Sequence, residues 1–121
     1  MKDDRLYLVH IDECIARIEV YVAEGKEAFF ADTKTQDAVL RNLQVLAEST
    51  QRVSDALKEQ YGDIDWRGIA GFRNVLVHDY LGMSLARAWE IVSEYLPSLK
   101  YTVRAMLQDL EAREGETSPE S

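Results

Sequence analysis

Eight consecutive residues, Arg73-Asn74-Val75-Leu76-Val77-His78-Asp79-Tyr80, carry the side chains most suited to chemistry. They supply a permanent cation, an amide, one of the chain's two histidines, a carboxylate and a phenol, with three apolar residues between. Histidine both accepts and donates a proton near neutral pH. Arginine presents a planar set of donors that matches phosphate oxygens. Together they suit cleavage of an RNA phosphodiester. One group assists attack by the ribose 2′-OH, and a cation stabilises charge developing on the phosphoryl oxygens. This chemistry needs no metal, and the plentiful aspartates and glutamates form no recognisable metal-ligand pattern. At ~100° per residue, Arg73, Val77 and Tyr80 share one helix face, and Asn74 and His78 a neighbouring one. Arg73 and His78 then stand roughly 140° apart, so they converge only where the helix bends or ends, or in a cleft against another element. Gly82 supports an ending just after the stretch. A single His–Arg pair is thin for complete acid–base catalysis. A homodimer supplies a second proton-transfer group by bringing two such stretches together across a two-fold axis.

Arg73, Asn74, His78 and Tyr80 reproduce a pattern R-N-x-x-x-H-x-Y that resembles the HEPN-domain motif. The flanks, Trp66-Arg67-Gly68-Ile69-Ala70-Gly71-Phe72 and Leu81-Gly82-Met83-Ser84-Leu85, are similar to the HepT-like toxins of that superfamily. The resemblance implies an all-α bundle and a metal-independent endoribonuclease with no cofactor, the toxin of a type II-like toxin–antitoxin pair. It implies paired motifs in a cleft at a homodimer interface, with RNA as substrate. By the same resemblance Arg73 orients and stabilises phosphate, His78 is the acid–base residue, and Asn74 helps to position the pair. Tyr80 is then the residue to which a minimal nucleotidyltransferase antitoxin attaches AMP. A nucleotide on a phenol two residues from His78 would obstruct the cleft and add negative charge where RNA phosphate must bind. Asp79 departs from a simple anion site and is open to three roles: facing away, pairing with an arginine, or orienting a histidine. Two other functions stay open, a non-catalytic HEPN interaction module that binds a nucleotidyltransferase, and a bundle subunit that holds nucleotide for the adjacent enzyme.

Composition sets the frame for these residues. A chain of 121 residues, 46% of them hydrophobic, makes one globular domain with a single sizeable core. Six glycines and two prolines favour long helices over many short strands. The lone Cys14 allows no intramolecular disulfide and reads as a small buried hydrophobe. No apolar run is long enough to span a membrane, and Met1 to Arg5 is too charged to open a signal peptide, so a cytoplasmic location is expected. Fourteen basic and 22 acidic residues give a net charge of −8, which argues against a broad grip on nucleic acid. Residues 60–104 are balanced, with five charges of each sign, so a local RNA contact there is compatible with the acid surplus elsewhere.

The elements that must position the stretch are four to five helices in an up-and-down bundle over residues 1–113. Asp3 or Asp4 caps a first helix with the seam Leu8, Ile11, Ile15, Ile18 and Val22, stopped by Gly25. His10 lies off that seam as a surface residue. Lys26 to Asp32 is a connector whose Phe29 and Phe30 plug one end of the bundle. A capping box, Thr33 with Gln36, opens one long helix to about Tyr61, with Val39, Leu43, Leu46, Val53 and Leu57 facing inward. Arg41 and Asn42 on it read as solvated rather than as facing the motif. Asp65 caps a third helix that carries the motif, and Gly68 and Gly71 in it call for close approach of another helix, from this chain or a second copy. Ser84 caps a fourth helix with the seam Leu85, Trp89, Val92 and Leu96. Pro97 opens a fifth helix or kinked continuation, with Leu99, Val103, Met106 and Leu110 inward. Residues 114–121 are an acidic tail expected to be disordered.

Overall fold

The computed structural model describes residues 2–78 and 83–116, and these form an all-α bundle with no strand among them. The order is α1 (Lys2–Tyr21), α2 (Lys26–Ala31), α3 (Thr33–Arg52), α4 (Asp55–Glu59), α5 (Trp66–His78), α6 (Leu85–Glu90), a π-helical turn (Ile91–Tyr95) and α7 (Leu96–Glu116). Helix α1 packs between α3 and α7, and α5 packs on α3. Both neighbours run antiparallel to α1. Lys100 pairs with Glu19 at 2.9 Å and Arg104 with Asp12 at 3.2 Å, so α7 descends as α1 rises. Asp4, at the start of α1, reaches Ser54, just past the end of α3.

The apolar seams make the core. Leu8, Ile11, Ile15 and Ile18 of α1, Val39, Leu43 and Leu46 of α3, and Leu99, Val103 and Met106 of α7 are all buried. Cys14 is buried among them, and that burial pushes its thiol pKa up. His10 is exposed, edge-on to Tyr7. No helix among the described residues is long and apolar enough to cross a membrane.

Three local expectations are corrected. First, Lys26–Ala31 is the short helix α2, whose Phe29 is buried while Phe30 stays 38% exposed. Second, the cap of α3 is Asp32, not Thr33. Its carboxylate accepts from the Lys34 backbone N–H and the Thr35 hydroxyl, which holds its pKa low. Gln36 instead donates its amide to the Phe29 and Phe30 carbonyls, satisfying the last turn of α2. Third, the long helix to Tyr61 is broken at Val53 and Ser54, both in extended backbone. Val53 and Leu57 are nevertheless buried on either side, so the apolar spacing runs through the break.

A distant residue stabilises that break. Asp4 is buried, and its two oxygens accept from the Ser54 N–H at 2.8 Å and the Ser54 hydroxyl at 2.7 Å, while Ser54 caps α4. A buried carboxylate must find donors, and an unbroken helix would tie up the Ser54 N–H. Asp4→Ala is expected to destabilise the fold by about 2 kcal/mol, the scale of hydrogen bonds to a charged group. Urea titration followed by circular dichroism checks this.

The helix from Leu85 to Glu116 is continuous, and its π turn sits immediately before Pro97. A proline inside an α-helix lacks the N–H and collides with the carbonyl four residues earlier. Widening the preceding turn, with the Leu96 N–H on the Ile91 carbonyl, carries the helix past the ring. The expected seam shifts with it: Ala88, Ile91, Val92 and Leu96 are buried, while Leu85 and Trp89 are only partly so. Helix α7 reaches Glu116, three residues into the acidic tail, and residues 117–121 lie outside the described residues.

Tyr61, at the end of α4, donates its hydroxyl to Asp109 of α7. Burial, then the Asp109 carboxylate, raises the phenol's pKa above its usual 10. A raised pKa favours the neutral form in the fold, so this contribution is full below pH 10 and is lost as pH rises through the folded-state value. Tyr61→Phe is expected to flatten the alkaline limb of a stability–pH curve measured by urea unfolding.

Candidate active site

Helix α5 begins where the sequence places it because Asp65 caps it. The Asp65 carboxylate accepts from the Gly68 N–H at 2.9 Å, and the Ile69 N–H bonds the Asp65 carbonyl. Trp66 is anchored by its indole N–H on the Tyr61 carbonyl at 3.1 Å. Ile69 and Leu76 are buried and Phe72 half-buried, which seats one stripe of α5 on the core. The two glycines differ. A Cβ on Gly68 would collide with the Asp65 carboxylate, so Gly68 serves the cap rather than another helix. A Cβ on Gly71 would meet nothing within 4 Å.

The motif residues occupy the edge and the outer face of this helix. Arg73 is half-buried at the edge. Its Nε is enclosed with no acceptor among the described residues, and its Nη1 donates to the Asn74 side-chain oxygen at 3.0 Å. Asn74 and His78, four residues apart, are both exposed on the outer face. The structure therefore brings Arg73 to Asn74. His78 stands one turn beyond Asn74, and no hydrogen bond joins it to Arg73 among the described residues. Asn74 thus does what the spacing alone left open: it draws the guanidinium from the edge of the helix toward the face that His78 shares. Asn74→Ala frees that guanidinium, and any activity of the site is expected to fall about tenfold with stability unchanged, read by cleavage assay beside thermal unfolding. Asp79 and Tyr80, and the ending expected at Gly82, lie outside the described residues.

Among the described residues no carboxylate compensates the charge of Arg73, whereas Arg87, Lys100 and Arg104 pair with Glu90, Glu19 and Asp12. Val75 and Val77 flank the Asn74–His78 stripe, each 38% exposed. Arg41 is exposed, and Asn42 is turned onto its own helix, donating to the Ala38 carbonyl at 2.9 Å. Neither is joined to the motif. Among the described residues no cluster of three His, Cys, Asp or Glu has the make-up of a metal site.

A cavity lies elsewhere in the fold. About 220 Å³ in volume, it opens between the start of α5 (Gly68, Ile69, Phe72) and the π turn with α7 (Ile91, Tyr95, Leu99). None of Arg73, Asn74 and His78 lines it. Among the described residues, Asn74 and His78 therefore sit on an exposed helix face outside that cavity.

Comparison with known proteins decides the family. The family model described as ribonuclease HepT-like matches residues 11–106, which includes Arg73, Asn74, His78 and Tyr80. The chain belongs to the HepT-like ribonuclease family. A Thermococcus cleftensis protein named "Probable ribonuclease HepT" is 38% identical over 95 residues, covering 78% of this chain and 86% of its own. A Caldanaerobacter subterraneus protein named "Putative RNase" is 32% identical over 109 residues, covering 89% of this chain and 97% of its own. A Methanocaldococcus jannaschii protein named as a gamma-glutamylcyclotransferase and putative RNase is 33% identical over 111 residues, 91% of this chain. The HepT-like chain spans half of that relative's length. No solved structure matches.

Proposed function

We propose that this HepT-like chain is a metal-independent endoribonuclease in which Arg73 and His78 carry the reaction and Asn74 positions Arg73. The single observation that carries the reading is the Arg73 guanidinium tethered to Asn74, with no carboxylate partner among the described residues, one turn from an exposed His78. In the reaction the ribose 2′-oxygen attacks phosphorus and the bond to the 5′-oxygen breaks. The products are a 2′,3′-cyclic phosphate and a 5′-hydroxyl. One imidazole takes the 2′-OH proton and a protonated imidazole gives one to the leaving oxygen. Arg73 stabilises the extra charge on the phosphoryl oxygens.

The chain's other histidine, His10, lies on α1 against Tyr7, so the second imidazole is taken from a second chain. The homodimer is supported by the outer face of α5, where Val75 and Val77 are exposed apolar side chains. A second copy covering these valines would bring the partner's His78 toward the first across a two-fold axis. The function is that of a toxin in a type II-like toxin–antitoxin pair. Its antitoxin is a minimal nucleotidyltransferase that silences it by adding AMP to Tyr80. This step is a transfer of AMP from ATP to the phenolic oxygen, with pyrophosphate leaving.

Purified protein, shown by intact mass to carry no AMP, is expected to cleave RNA in EDTA and to leave 2′,3′-cyclic phosphate ends. Incubation with the neighbouring nucleotidyltransferase and ATP should then add AMP to wild type but not to Tyr80→Phe, and stop cleavage only in wild type. An unmodified dimer that cleaves no RNA would overturn the enzyme reading and favour a non-catalytic module that binds the nucleotidyltransferase.

A further inference from the structure

We infer that the RNA strand continues from the Arg73–His78 site along the outer face of α5 and that Arg67 holds a flanking phosphate. This deepens the ribonuclease reading and rests on it. The first observation is charge. The chain has 22 acidic residues and a net charge of −8, yet α5 contains Arg67, Arg73 and His78 and not one aspartate or glutamate. Thirteen residues of a strongly acidic protein thus form a cationic rod, the local attraction that RNA phosphates need.

The second observation is register. Arg67, Gly71, Asn74 and His78 follow at spacings of 4, 3 and 4, and all four are exposed on one stripe. On the helical wheel Arg67 stands roughly 20° from His78 and 120° from Arg73, so it lies within the arc that the two must share to act on one substrate. Gly71, between Arg67 and Asn74, projects no side chain into open space, so a nucleic-acid backbone can lie close to the helix. Along the axis, Arg67 is about 9 Å from Arg73 and about 16 Å from His78. That separation is too long for one phosphate and suits a neighbouring one.

The third observation is that no carboxylate among the described residues forms an ion pair with Arg67. The nearest carboxylates in sequence, Asp63 and Asp65, precede the helix, and Asp65 is turned onto the Gly68 N–H. Arg67 therefore acts as a positioning residue: it sets where the strand lies and does not touch the reacting atoms.

The test measures binding of a short fluorescent 2′-O-methyl RNA, which lacks the attacking hydroxyl, by anisotropy across a salt series. Wild type is compared with Arg67→Gln, Arg67→Lys and, as a control on α1, Arg17→Gln. Arg67→Gln is expected to weaken binding about fivefold at low salt. Its slope of log K against log salt should be shallower by about 0.7, the value for one single-stranded phosphate. Arg67→Lys should keep the wild-type slope, as should Arg17→Gln. In cleavage assays KM should rise in Arg67→Gln with kcat within about twofold, because the contact is made equally in ground and transition states. A wild-type slope in Arg67→Gln, while wild-type protein cleaves RNA, would overturn this inference and leave the ribonuclease reading standing. Loss of the dimer in light scattering with Arg67→Gln would instead make Arg67 an interface residue. If unmodified wild type neither binds nor cleaves RNA, the ribonuclease reading falls and the Arg67 subsite falls with it.

Discussion

Alanine at residue 78 is expected to lower the rate of RNA cleavage by about 10²–10⁴-fold, the usual contribution of a general acid–base group. His78 is exposed and its imidazole makes no packing contact that the core depends on, so its removal should shift stability by no more than about 0.5 kcal/mol. A fall in rate with unchanged thermal unfolding is therefore the signature of chemistry rather than of misfolding. Arg73→Ala should cost about 10²–10³-fold, as for loss of one preorganised donor to a developing oxyanion. Arg73→Lys should not restore the rate. The guanidinium spans from its enclosed Nε to the Asn74 oxygen, and an ammonium on a flexible stem keeps the charge but not that placement. The proposed dimer offers a sharper check. If base and acid come from different protomers, each site uses His78 and the partner's His78. Heterodimers of one wild-type and one His78→Ala protomer should then cleave far below half the wild-type rate. A rate of one half would mean two independent sites and would remove the need for a shared cleft.

Phe29→Ala is expected to destabilise the fold by about 3–5 kcal/mol, the range for truncating a buried phenylalanine. Phe29 is 1% exposed and its ring lies 5.4 Å from Trp89 of α6, tilted by 39°. Phe30 meets it edge-on at 5.2 Å. The ring thus joins the short α2 to α6, about sixty residues later in the chain. A domain of this size has a total stability of about 5–15 kcal/mol, so the loss would be about a fifth of it or more. Phe30→Ala is the control. With Phe30 38% exposed, its loss should cost less, about 1–2 kcal/mol. Urea unfolding of the two variants side by side checks the difference. Equal effects would mean that Phe29 does not seal the bundle as its burial indicates.

Much of this protein was legible in the chain itself. Apolar spacings of three and four picked out the buried faces of α1, α3 and α7, because an amphipathic helix has to turn that stripe inward. Asp65 and Ser84 marked the starts of α5 and α6, because an aspartate or serine there satisfies backbone donors that the helix leaves free. The combination of Arg73, Asn74, His78 and Tyr80 pointed to the family that the comparisons then established.

What the chain alone did not decide depends on residues far apart in sequence or on which side chain wins a local competition. The break at Val53 and Ser54 follows from Asp4, fifty residues earlier, and apolar spacing is blind to it because Val53 and Leu57 stay buried on both sides. The capping of α3 went to Asp32 over Thr33, since two adjacent residues can each cap and only the path of α2 orients one of them. Gly68 and Gly71 look alike in sequence, yet one clears room for the Asp65 carboxylate and the other faces open space. Helical geometry left Arg73 and His78 roughly 140° apart. The tertiary structure enclosed the stem of Arg73 and turned its guanidinium onto Asn74, and that contact, between neighbours in sequence, could be read only once the fold had decided which way α5 faces the core.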